Sequence, residues 1–421
     1  GPTTRELDTI VADRPALFHD ADHHAAWVNS AALAAAGITA ATLDPPDGRI
    51  ERGADGVLSG FLAEGAVNLL SAVLPETDPD ELAGAIIRAS AGLHSVGVTG
   101  WQEAALGAFA GFPDFTESYR RALSDHALRG RPTGAIWVPR DLPLDDIDSF
   151  VSQAVSDAQR NTEFGLSTST VKLMLDGIVE TRTAALIDPY VADDVTRGLS
   201  YFSRKFVQRV ILAANVAGLS VHVHAIGDRA VRDALDGFAS VPGDVRSRVR
   251  NHIAHLQLIA DADIPRFAEL NVTANIQPYW ASTTPLTRDV TIPLVGPDRV
   301  RLLFRFGSLS KAGAALAMGS DWPVSSNVPW QAIHVAVTRR NPDADAPALG
   351  PAEAIPLSVA LDAATRGSAE LLGIPGGGVL KAGAPADLTI ATRDPFAHPA
   401  EEIHLTEAAA TIIAGDVIFS R

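Results

Sequence analysis

The strongest constraint on this chain's fold is a rhythm along the sequence. Short, continuously apolar runs alternate with stretches of helical periodicity. The runs lie at 97–101, 134–138, 171–175, 220–224, 252–255, 272–276 and 315–318. Helical patterns fall between them, among them 79–95, 203–217 and 230–239. Strands without polar alternation belong to parallel sheets covered by helices on both faces. Seven of them in this rhythm suit a (β/α)8 TIM-type barrel better than an open sheet, and they are one short of eight. The expected class is therefore α/β, with barrel strands 2 to 8 visible.

The flanks break the rhythm. Residues 15–75 carry the turn signals Asp44-Pro45-Pro46-Asp47-Gly48 and Asp55-Gly56 between short strand-like runs, and read as a β-rich insert. Residues 1–14 read as a linker, and 76–372 as the barrel, whose last helix spans 358–372. From 373 to 421, Gly376-Gly377-Gly378 leads into strand-like runs at 379–380, 387–391 and 410–419. This tail reads as the C-terminal part of a small β-sandwich.

Composition narrows the function. The 421 residues carry 34 basic and 50 acidic side chains, a formal charge of −16. That balance disfavours nucleic acid or an anionic membrane as partner. Cysteine is absent, so disulfides, iron–sulfur clusters, thiolate nucleophiles and thiolate zinc sites are excluded. Any metal must be held by nitrogen and oxygen. No run approaches the length of a membrane span. The first residues show no basic-then-apolar leader, so a cytoplasmic location is expected.

Chemistry in a barrel sits at the C-terminal ends of the strands. Four of the strands carry a reactive residue there. In chain order these are Lys172, His224, His255 and, just after the last strand, Asp321. Each alone has a bland reading: a hydrogen-bonded core histidine, a snorkelling lysine, an Asx turn. His222 and His224 point to the same face, as alternate residues of a strand do. The order and placement of all four together is far more specific than any one of them.

With these residues the chain resembles the amidohydrolase superfamily, and within it the YtcJ-like branch that includes N-substituted formamide deformylases. The resemblance runs over nearly the whole chain. It is carried by Asp22-His23-His24-Ala25-Ala26-Trp27-Val28-Asn29-Ser30 and by Gly97-Val98-Thr99-Gly100-Trp101-Gln102-Glu103. It continues through Val171-Lys172-Leu173-Met174-Leu175-Asp176-Gly177 and His222-Val223-His224-Ala225-Ile226-Gly227-Asp228-Arg229-Ala230. His255-Leu256-Gln257, Gly319-Ser320-Asp321-Trp322-Pro323 and Gly383-Ala384-Pro385-Ala386-Asp387-Leu388 complete it.

The resemblance implies one or two divalent metals at the barrel mouth, zinc first among the candidates. Lys172 matches the lysine whose carbamate bridges two cations. His224 and His255 match ligands of the second metal. Asp321 matches the aspartate that binds the first metal and moves the proton of the attacking water. The implied reaction is hydrolysis of an amide-type C–N bond in a small molecule. The family's strand-1 His-x-His is not found upstream of residue 97, so the chain is expected to lack roughly a hundred residues, the scale of a domain piece. His24, Trp101, Gln277, Trp280 and Trp322 are the substrate-facing candidates. A homodimer is implied by the family alone. Two other readings stay open: a non-catalytic or truncated barrel, and an ester or phosphoester hydrolase built on the same metal centre.

Overall fold

The structure, a computed structural model, describes residues 3–191 and 195–421. It forms two compact units, Gly1–Pro79 with Gly107–Phe115, and Asp80–Leu106 with Thr116–Arg421.

The first unit is a four-stranded antiparallel sheet with short helices. Its strands are β1 (Leu17–His19), β2 (Ala25–Val28), β3 (Gly48–Arg52) and β4 (Leu58–Glu64), in the order β1-β2-β4-β3. Val28, Leu33, Ile50, Leu62, Val67 and Leu70 form its core. The residues read as a linker contain a helix, Thr4–Ile10, whose start is fixed by reciprocal Thr3 and Glu6 bonds. Asn29 ties the rest of this stretch down. Its Oδ1 accepts from the Ala16 and Ala32 N–H groups, and its amide donates to the Val11 and Arg14 carbonyls. One buried amide thus spends its full hydrogen-bonding capacity on fixing the path of 11–16.

The second unit holds the alternating elements. Its strands are β5 (Gly100–Leu106), β6 (Arg131–Trp137), β7 (Ser167–Met174), β8 (Ser220–Ala225), β9 (His252–His255), β10 (Thr273–Ile276) and β11 (Leu316–Met318). They pair in chain order as one parallel sheet. Val171 and Leu173 of β7, Val221 and Val223 of β8 and Ile253 of β9 face the helix layer. There they pack with Val210 and Ile211 of the helix Arg204–Val216 and Phe238 of the helix Asp228–Ala239. The intervening residues point to the other face. The sheet curls strongly: Gln102 on β5 meets His222 on β8, three strands away, at 2.9 Å. It is a curled seven-stranded α/β sheet of the TIM type, and β5 and β11 do not pair with each other among the described residues.

The tail forms β12 (Leu388–Ala391), β13 (Ala408–Ile413) and β14 (Asp416–Ser420), one antiparallel layer. Only the C-terminal part of a sandwich was expected here, and among the described residues this sheet is a single layer. The stretch 410–419 is read as short strands with a glycine turn at Gly415, and there Ala414 and Gly415 both take positive φ (53° and 90°) and turn the chain into a hairpin. Residues 379–380 lie outside any strand, with Leu380 exposed. The helix expected at 358–372 runs from Leu357 to Leu371 and contains a π turn at Ala363–Gly367. A Cβ on Gly367 would meet the Leu316 carbonyl at 2.0 Å, so only glycine lets this turn rest on β11. No helix among the described residues is long and apolar enough to cross a membrane.

Candidate active site

Parallel register stacks the polar residues of β7, β8 and β9 in two tiers. In the deep tier Lys172 pairs with His222, and His222 with His252. In the upper tier His224 stands beside Met174, and His255 ends the next strand opposite Ala225. The rings of each imidazole pair, His222–His252 and His224–His255, have centroids 4.4 Å apart. His255 reaches its pair by a left-handed backbone, φ 75°, followed by Leu256 at 54°. Asp321 has φ 56°. Non-glycine residues are rarely held in this region, and such strain concentrates at functional sites.

The deep tier is a hydrogen-bonded chain. The Gln102 carbonyl oxygen accepts from His222 Nδ1 at 2.9 Å. That leaves the lone pair of His222 Nε2 free to accept from Lys172 Nζ, 3.1 Å away. Burial brings the Lys172 pKa down to about 8, partly opposed by the negative charge of Asp321. Burial, then the Lys172 charge, holds His222 well below the ordinary histidine range. Burial likewise lowers His252 to about 4; its Nδ1 donates to the Arg250 carbonyl at 3.3 Å. These two imidazoles are neutral at neutral pH.

The upper tier is positioned by its surroundings. Asp176, fully buried after β7, accepts three backbone N–H groups, from Ala185 at 2.8 Å, Ile226 at 3.0 Å and Gly227 at 2.9 Å. It thereby fixes the loop after β8, and its Oδ1 lies 3.7 Å from His224 Nε2. Gln277 accepts the His255 backbone N–H at 2.7 Å and donates to Asn275 at 3.1 Å. Trp280 lies parallel to the His255 ring, centroids 5.5 Å apart. Both residues were expected to face substrate; both touch the end of β9, and Gln277 also bonds Asn275 of β10.

The other expected residues fall in different places. Trp101 was read as ending a strand, but β5 begins at Gly100, so Trp101 lies at the opposite end from the mouth. The misreading came from Gln102 and Glu103, polar residues that are interior to the strand rather than beyond it. The Trp101 indole N–H donates to Tyr119 Oη at 3.3 Å, and Tyr119 donates to Glu103 at 3.1 Å. Burial raises the Glu103 pKa, opposed by the Tyr119 hydrogen bond and reinforced by the charge of Asp321. Trp322 is 43% exposed beside Asp321. His24 belongs to the first unit, where its Nδ1 is 2.8 Å from Glu64 Oε1. Gln102, His252 and Asp176 were not among the residues singled out as a site. Two-residue alternation back from His224 to His222 was the signal that reached the deep tier.

Among the described residues, no group of three or more His, Asp or Glu side chains is arranged to hold a metal ion. The donor chemistry nonetheless fits a divalent cation that accepts nitrogen and oxygen. Two imidazoles stand in ring contact at adjacent strand ends. A carboxylate is close enough to shift a buried lysine, and that lysine is itself eased toward its neutral form.

A curled parallel sheet with such residues at its strand ends defines a TIM-type enzyme site. The sequence profile of the amidohydrolase family matches residues 1–419, and the chain belongs to that family. YtcJ of Bacillus subtilis is 28% identical over 429 residues, covering 100% of this chain and 77% of the relative. The N-substituted formamide deformylase of Arthrobacter pascens is 26% identical over 437 residues, covering 100% of this chain and 76% of the relative. Among solved structures, a metal-dependent hydrolase of Pyrococcus horikoshii superposes with a TM-score of 0.71. It is 24% identical, and the match covers 95% of this chain and 75% of that one.

Proposed function

We propose that this chain is a metal-dependent hydrolase that cleaves an amide-type C–N bond in a small molecule. The observation that carries the reading is the placement of Lys172, His224 and His255 on three adjacent strands, with the two imidazoles in ring contact and Lys172 one tier deeper, within electrostatic reach of Asp321. Membership of the amidohydrolase family and similarity to a formamide deformylase support the choice of bond.

Lys172 as a carbamate, His224, His255 and Asp321 would hold the divalent metal, zinc first. When bound, such a cation polarises a carbonyl and makes water acidic near neutral pH. The chain's own residues supply the rest. Asp321 takes the proton of the attacking water on its carboxylate and delivers it to the leaving nitrogen. Gln277 and Trp280 fix the orientation of His255, as partners of ligand histidines do. Trp322, exposed beside Asp321, offers an apolar face to the substituent on the amide nitrogen.

The test is elemental analysis of protein purified without chelator, joined to side-by-side assay of N-substituted formamides and aryl esters. One or two metals per chain and chelator-sensitive amide turnover are expected. Ester turnover alone, indifferent to chelator, would overturn the reading; no turnover and no metal would favour a non-catalytic barrel.

A further inference from the structure

A second polar feature of the larger unit lies outside the catalytic cluster. Arg197, Arg204, Arg229 and Arg232 converge with Ile187 on an open pocket of about 460 Å³, and among the described residues no acidic side chain lines it. Such convergence is unexpected in a chain of net charge −16. It also sits where helical electrostatics resist it. Arg204 is the first residue of the helix Arg204–Val216, and Arg229 the second of Asp228–Ala239. The N-terminal turn of a helix is its positive end, so cations there are disfavoured unless an anion offsets them.

The charges are only partly balanced. Asp233 lies behind the pocket, 2.8 Å from Arg204 Nε and 3.5 Å from Arg229 Nε. Asp263 is 3.0 Å from Arg232 and is shared with Arg266 at 2.9 Å. Arg197 has no carboxylate partner among the described residues; its Nη1 donates to the Ile187 carbonyl at 2.7 Å. The wall is preformed. Asp228 accepts the Ile187 N–H at 2.9 Å, and Arg229 N–H donates to the Ala185 carbonyl at 3.1 Å. Ala185 is in turn held by Asp176. A fixed wall removes part of the ordering cost of binding.

We propose that this pocket binds a phosphate-bearing small molecule with two or more negative charges. Guanidinium forks match phosphate oxygens two at a time, and four of them suit a diphosphate group better than a single monoanion. The pocket's volume is that of a small-ligand site rather than of one ion.

Calorimetric titration at low salt tests this, with inorganic pyrophosphate as the probe and orthophosphate and citrate alongside. One pyrophosphate per chain is expected, bound at least about tenfold more tightly than orthophosphate or citrate. Affinity should fall about tenfold or more in both Arg197→Gln and Arg229→Gln, and should weaken steeply with added salt. Arg197 is exposed and outside any helix, so its variant remains informative if Arg229→Gln fails to fold. Absence of pyrophosphate binding at millimolar concentration would overturn the proposal. So would binding that survives both substitutions, or a preference for citrate.

Discussion

Lys172 shows how much of this site depends on a single side chain's company. A buried lysine is disfavoured as a cation, and here its amine leans on an imidazole whose tautomer is set by Gln102. Replacing Gln102 by leucine strands the His222 Nδ1–H in the interior. We expect a loss of about 1–3 kcal/mol, read from urea unfolding midpoints, the usual cost of an unsatisfied buried donor. Unchanged midpoints would mean that His222 finds another acceptor. Lys172→Met keeps the volume and removes the amine. If Lys172 carries the carbamate, this variant should lose metal, measured per chain, as well as activity; retained metal would argue against that role.

At the scale of elements, the loop after β8 is held by one carboxylate. Asp176→Asn exchanges one carboxylate oxygen for an NH2 group that cannot accept, in a side chain that faces three backbone N–H groups. We expect destabilisation of about 2–4 kcal/mol in thermal unfolding. Gly227→Ala tests the same junction from the other side, since its Cβ would meet the Ala185 carbonyl at 1.9 Å. A Gly227→Ala protein as stable as the parent would show that the junction yields. The apolar face of each central strand was legible in the sequence, because Val221, Val223 and Ile253 alternate with histidines. His252–His255 and Pro79–Ser95 have the bounds read from pattern alone. The placement of Trp101 was not legible, because Gln102 and Glu103 look like a strand end until the curled sheet gives them interior partners. Nor was the π turn at Ala363–Gly367, where the bare backbone of Gly367 lies against the Leu316 carbonyl of β11. Lys172 and His224 were legible as residues, but their separation into different tiers required the register.

At the scale of the whole molecule, buried neutral histidines set the acid limb of stability. His252 is lowered from the ordinary value of 6.5 to about 4 by burial. Between those values the unfolded chain binds the extra proton and the folded chain does not, so stability falls as pH drops from about 6.5 to about 4. The contribution is at most about 3 kcal/mol from this group. His252→Phe should flatten the slope of unfolding free energy against pH over that window; an unchanged slope would place the loss elsewhere. Metal removal probes the same fold from the ligand side. A cation that binds only the folded chain adds about 4 kcal/mol when present at a thousandfold excess over its dissociation constant. Chelation should therefore lower the melting temperature of the parent, and zinc should restore it. In His224→Ala, which leaves one imidazole of the upper pair, both responses should shrink. A parent whose melting ignores chelator and zinc alike would leave the strand-end histidines without a metal to hold, and the hydrolase reading would fall with it.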